Sequence, residues 1–109
     1  MKVLVFEDNL MWSTRLKQTL KALNHEVEIL QTIPSAMPEA NAAIVNLGSP
    51  KMPARDLVAK LKDAGIYVIA HAGHKEKELR ALGQELACDR LASNSELTFK
   101  LESLLPTKP

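Results

Sequence analysis

Apolar residues in this chain fall into short runs, separated by longer stretches in which they recur every three or four positions. The run Val3-Leu4-Val5-Phe6 makes Lys2–Phe6 apolar on both faces, as a central strand of a parallel sheet must be. The stretch after it puts Trp12, Leu16, Leu20 and Leu23 on one stripe and turns Lys17, Gln18 and Lys21 to solvent, which predicts a helix. Asn24 is placed to end that helix with a left-handed cap. Val27 to Gln31 alternates as a half-buried edge strand does. Residues 32–41 carry Pro34 and Pro38 and can hold only a short or broken helix. Ala42 to Leu47 reads as the third strand, and Ala54 to Ala64 as a helix burying Leu57, Val58 and Leu61 and ended by Gly65. Ile66 to His71 is the fourth strand. Lys75 to Leu86 buries Leu79, Leu82 and Leu86 while exposing Lys75, Glu76, Lys77 and Glu78. Arg90 to Ala92 is a short last strand. Ser93-x-x-Glu96 then has the spacing of a capping box for a final helix that buries Leu97, Leu101, Leu104 and Leu105.

Five strand-helix units with short connections predict a three-layer doubly wound α/β domain built on a five-stranded parallel sheet. In such sheets ligands collect at the carboxyl ends of the strands, where the strand order reverses. The expectation is one domain over 1–105, with 106–109 as a short tail. Composition agrees with one globular unit: 46% hydrophobic and 25% charged residues, with only 4% aromatic, call for an aliphatic core. A formal net charge of +1 supplies no broad field for nucleic acid or anionic lipid. No apolar stretch approaches the roughly 20 residues that span a bilayer. An apolar strand beginning at residue 3 leaves no room for a signal peptide. With Cys88 as the single cysteine, an internal disulfide framework is impossible. The expectation is a cytoplasmic protein that binds neither nucleic acid nor membrane.

Polar residues gather where the apolar runs stop. Glu7-Asp8-Asn9 follows Val-Phe, Asn46-Leu-Gly-Ser-Pro50 follows Ala42-Ala43-Ile44-Val45, and Ala87-Cys88-Asp89 leads into Arg90-Leu91-Ala92-Ser93-Asn94-Ser95. This layout, from Lys2 to about Leu105, resembles the receiver domain of bacterial response regulators. The resemblance implies a flavodoxin-like sheet of order 2-1-3-4-5, which would bring Glu7, Asp8 and Asn46 together. It also implies that Glu7 and Asp8, with the carbonyl of Gly48, are the family's ligands for a divalent cation.

At the reacting centre the chain departs from the family's pattern three times. Asn46 stands at the position of the phosphorylated Asp. Ala72 stands where a Ser or Thr contacts the phosphoryl group, with His71 the alternative if the alignment shifts by one residue. Asn94 stands where a Lys is found. The lone pair of an amide nitrogen is delocalised into its carbonyl, so Asn46 cannot attack phosphorus as a carboxylate does. Ala72 donates no hydrogen bond and Asn94 carries no charge. The resemblance is therefore to a degenerate receiver: a stand-alone signalling module of two-component type that is not an enzyme, works without phosphorylation, and acts on a protein partner or on a second copy of itself. It requires no cofactor, and Mg2+ is the one ion expected, bound weakly. The alternatives are a response regulator phosphorylated at an atypical site such as Asp8, or a metal- or small-ligand-binding protein using the strand-end crevice.

Each residue also has a plainer reading. Asp8 or Asn9 can simply cap a helix, and Asn46 can satisfy loop backbone. His71 and His74 flank Ala72-Gly73 and, with Glu7 and Asp8, are candidate ligands for a transition metal. The plain reading makes them a strand-end and a loop histidine. His25 belongs in a solvated turn, Trp12 in the core with Leu16 and Leu20, and Cys88 in a buried apolar niche. Phe99 lies about 200 degrees from Leu97 at about 100 degrees per residue. It should be exposed, as a lone surface aromatic or as the anchor of an interaction surface that includes the outer side of Lys75 to Leu86.

Overall fold

The computed structural model describes residues 1–106, so nearly all of the tail expected at 106–109 lies outside the described residues. Five strands, β1 (Lys2–Phe6), β2 (Glu26–Leu30), β3 (Ala42–Asn46), β4 (Tyr67–His71) and β5 (Arg90–Ala92), form one sheet in the order β2-β1-β3-β4-β5. All neighbours are parallel, with Val3 opposite Val27 and Ala42, and Asn46 opposite His71. Helix α1 (Leu10–Ala22) and the pair α4 (Asn94–Phe99) and α5 (Leu101–Leu104) bury Leu16, Leu20, Leu97, Leu101 and Leu104 on one face of the sheet, against Val3, Val5, Ile44 and Ile69. Helices α2 (Ala54–Asp63) and α3 (Lys77–Glu85) cover the other face, where Leu57, Val58 and Leu61 meet Leu4, Phe6, Ala43, Val45 and Val68. The alternating side-chain directions of each strand serve both faces, so β1, β3 and β4 are apolar on both faces apart from Lys2, Asn46 and His71 at their ends.

The element starts and stops follow local chemistry. Asn9 caps α1 by accepting the Met11 and Trp12 amides at 3.0 and 3.2 Å. The helix is followed by Asn24 at φ 66°, the left-handed residue expected there, and α2 by Gly65 at φ 72°. Ala87, after α3, also has positive φ, 55°. An alanine there bears a Cβ penalty that glycine would not.

The expected single final helix is two. Lys100, at φ −130° and ψ 25°, leaves helical geometry between α4 and α5. Around it Thr98 and Ser103 bond with their hydroxyls to the carbonyls of Asn94 and Lys100 at 2.9 and 2.7 Å, side-chain bonds that compete with regular helix. The four leucines expected in the core are nevertheless all buried.

Between β2 and β3 the two prolines leave no helix at all, the far end of the expectation of a short or broken one. Ile33, Met37 and Ala40 of this irregular segment pack on the core from the side. The register puts Glu26, Glu28 and Leu30 on the same face as Lys2, Leu4 and Phe6, and Lys2 pairs with Glu28 at 3.2 Å. A row with two glutamates offers a helix little apolar surface, so the polar face of β2 and the missing helix belong together.

Candidate functional site

Glu7, Asn46 and His71 lie one strand repeat beyond Val5, Ile44 and Ile69, on the same face of the sheet. The apolar rows under α1 thus end in a polar cluster at the carboxyl ends of β1, β3 and β4. Glu7 is 1% exposed and His71 3%. The Asn46 amide nitrogen donates to Glu7 Oε2 at 2.7 Å, while its oxygen accepts the Gly48 N–H at 2.9 Å. Both ends of the amide are used, which fixes its orientation. Beside it the Ser49 hydroxyl donates to Asp8 Oδ2 at 3.0 Å. Ser49 was not among the residues singled out in the sequence, although it lies inside the Asn46 to Pro50 motif.

Burial pushes the Glu7 carboxyl above the usual carboxylate range, and the charge of Asp8 adds to this, while the Asn46 hydrogen bond works against it. Burial likewise pushes His71 down to about 4, opposed by the neighbouring Asn94 amide and the Glu76 charge. The imidazole is neutral at pH 7. Its Nε2 lies 3.7 Å from Glu7 Oε1, beyond a hydrogen bond, and neither that oxygen nor either ring nitrogen has a hydrogen-bonding partner among the described residues. Trp12 lies on the ring at 6.0 Å between centroids, and Arg15 lies over Trp12 at 5.6 Å. Trp12 therefore roofs the cluster as well as packing in the core beneath α1.

Ala72 follows β4 directly and its methyl group belongs to the opposite core, under α2 and α3. Asn94 opens α4 beside His71. Glu76, another residue that the sequence did not mark as part of the site, accepts the Gly73 N–H at 3.2 Å. Its other oxygen lies so near Gly48 that a Cβ there would be 3.7 Å from it. The Glu76 carboxylate thus lies between the loops that leave β3 and β4. His74 stands in an exposed turn, and among the described residues no three His, Cys, Asp or Glu side chains gather closely enough to hold a metal. The side chains expected to make a transition-metal site, His71, His74, Glu7 and Asp8, are not brought together, since His71 is buried beside Trp12 while His74 faces solvent.

The parallel sheet with reversed order at β1 and β3 defines a flavodoxin-like α/β protein. Solved structures narrow this to the receiver fold of response regulators. A CheY-like receiver domain protein from Methanospirillum hungatei matches at a TM-score of 0.75 and 20% identity, covering 94% of this chain and 90% of that one. The receiver domain of sensor histidine kinase PA1611 from Pseudomonas aeruginosa, which has a magnesium ion coordinated in its active-site cleft, matches at 0.77 and 16% identity over 94% and 95% of the two chains. The Francisella response regulator 1452 receiver domain matches at 0.72 and 17% identity over 94% of each chain. No protein-family profile matches the sequence, and no curated protein does.

The magnesium of that fold tests this chain's donor set. Mg2+ takes oxygen ligands at about 2.0–2.1 Å, usually including one or two carboxylates. Here Asn46 aims an N–H donor at Glu7 Oε2, the other Glu7 oxygen is turned inward toward His71, and one of the two Asp8 oxygens, Oδ2, is engaged by Ser49. As arranged, Glu7, Asp8 and the Gly48 loop do not fit the ion.

Proposed function

We propose that the protein is a receiver-like signalling module of two-component type that works without phosphorylation, through contacts with a protein partner or a second copy of itself. One observation carries the reading: at the carboxyl end of β3, where the fold family is phosphorylated, Asn46 presents an amide whose nitrogen and oxygen are both committed to hydrogen bonds. Ala72, with its methyl in the core, and the neutral Asn94 complete a centre that cannot take, contact or counter a phosphoryl group. The crevice is read as a binding scaffold with no catalytic step.

A receiver changes affinity only as far as its input favours one conformation over another. With that input gone, the resting conformation is the binding conformation. Phe99, 81% exposed on α4, is the proposed anchor, with Lys100 and Glu102 as its polar rim and the outer side of α3 beyond the β5 edge. Among the described residues no helix is long and apolar enough to cross a membrane. A cytoplasmic location is part of the proposal and rests on the single cysteine.

Incubation with acetyl phosphate and Mg2+, followed by intact-mass measurement, tests the reading. The expected mass is that of the unmodified chain. A phosphoryl adduct on Asp8 or another acid would establish an atypical acceptor instead.

A further inference from the structure

We infer that the side chains of Asn46 and Ser49 have taken over the bridging work of the divalent cation, so that the two acids are hydrogen-bonded and braced from within the chain. The inference rests on the receiver-like reading and goes beyond it, because an inert phosphorylation site says nothing about what holds the acids together. Two carboxylates at the end of a buried strand need opposite charge or hydrogen-bond donors, since their mutual repulsion and lost hydration are otherwise uncompensated. A cation supplies this by bridging the acids to the loop after β3. In this chain the bridge is covalently part of that loop. The Asn46 nitrogen reaches Glu7 Oε2 at 2.7 Å and its oxygen takes the Gly48 amide at 2.9 Å. One short side chain therefore ties the end of β1 to the turn after β3. Ser49 repeats the tie three residues on, to Asp8 at 3.0 Å.

Amide and hydroxyl donors are neutral and cannot dissociate, so this brace is independent of ion concentration. Aspartate at position 46 would reverse the arrangement. It would replace the donor by a carboxylate oxygen facing Glu7 Oε2 and set three acids, Glu7, Asp8 and the new one, around one point. That is the donor set a hard cation takes.

The experiment compares thermal unfolding of the wild type, Asn46→Asp and Asn46→Ala in EDTA and in millimolar MgCl2 at matched ionic strength, with Trp12 emission titrated against Mg2+ in each. The wild type is expected to have the same Tm in both buffers and no saturable emission change. Asn46→Asp is expected to melt several degrees lower in EDTA and to regain Tm with the logarithm of Mg2+ concentration, as a ligand bound only by the folded state requires. Asn46→Ala, which removes the brace without adding charge, is expected to lose Tm equally in both buffers. Saturable Mg2+ binding by the wild type overturns the inference. So does an Asn46→Asp protein indifferent to Mg2+, folded or unfolded, or a cation response in Asn46→Ala. A wild type that binds Mg2+ but takes no phosphoryl group would sink this inference alone, whereas a phosphoryl adduct would sink the functional reading.

Discussion

Replacing His71 with Leu removes a buried imidazole and should change how stability depends on pH. In the folded protein burial lowers this group from its ordinary 6.5 to about 4, and with the ring 3% exposed solvent screening does little to soften that. At neutral pH the ring is uncharged in the folded protein and largely uncharged in the unfolded chain. As pH falls through 6.5 the unfolded chain takes a proton that the folded protein refuses until about 4, so stability is progressively lost across that window. At about 1.4 kcal/mol for each tenfold step in proton affinity, the loss amounts to roughly 3 kcal/mol, a sizeable part of a small domain's stability. Glu7 acts with the opposite sign. Its folded value is raised above 4.5, so its contribution is complete below the unfolded value and is lost as pH rises through the folded one. Acidification therefore returns some of what His71 takes away. Urea unfolding followed by Trp12 emission at a series of pH values measures the balance. Wild-type stability should fall between 6.5 and 4, while His71→Leu should stay flat or rise until the remaining acids titrate. Parallel profiles for the two proteins would refute the assignment of a neutral buried His71.

Ala87→Gly should raise stability by about 1 kcal/mol in urea unfolding, because relief of a left-handed alanine, roughly 1–2 kcal/mol, exceeds the added chain entropy of glycine. Asp89→Ala should cost about 1–3 kcal/mol by the same assay, since Asp89 accepts the buried Val68 N–H at 2.7 Å and its loss leaves that donor without a partner. Phe99→Ala should leave Tm unchanged and weaken a purified partner, or self-association measured by sedimentation, by roughly 1 kcal/mol or more. Unchanged affinity would remove Phe99 from the proposed surface.

The layering was legible because β1, β3 and β4 are built on apolar runs and the helices keep a 3.6-residue stripe, whereas the strand order came from the resemblance to receiver domains. Both signals come from burial on a regular lattice, and they located the core leucines of α4 and α5 even though the helix breaks between them. The break itself was not legible. It depends on hydroxyls of Thr98 and Ser103 competing with backbone partners, and helical periodicity carries no trace of that contest. The cap at Asn24 could be expected from residue type, whereas Ala87 adopts the same left-handed backbone with a residue that gives no warning. At the crevice, Glu7, Asp8 and Asn46 stood out because polar residues end apolar strands there. Ser49 and Glu76 did not, since their partners, Asp8 and the Gly73 amide, are brought near only by tertiary folding.

The bare side of β2 bears on how the molecule opens. β1 is paired on both edges and buried by packing on both faces, but among the described residues β2 has β1 alone as a neighbour strand and irregular chain in place of a helix over its glutamate row. Amide protons there lie on an edge strand that no helix covers on the glutamate side, so β2 and the segment to Asn41 should exchange with deuterium by a local opening well below the free energy of global unfolding, while β3 and β4 exchange only when the whole domain does. The chain is thus expected to have two grades of rigidity, a stiff centre of β1, β3 and β4 and a looser margin at β2. The braced crevice, tied between β1 and the loop after β3, lies on the stiff side of that line.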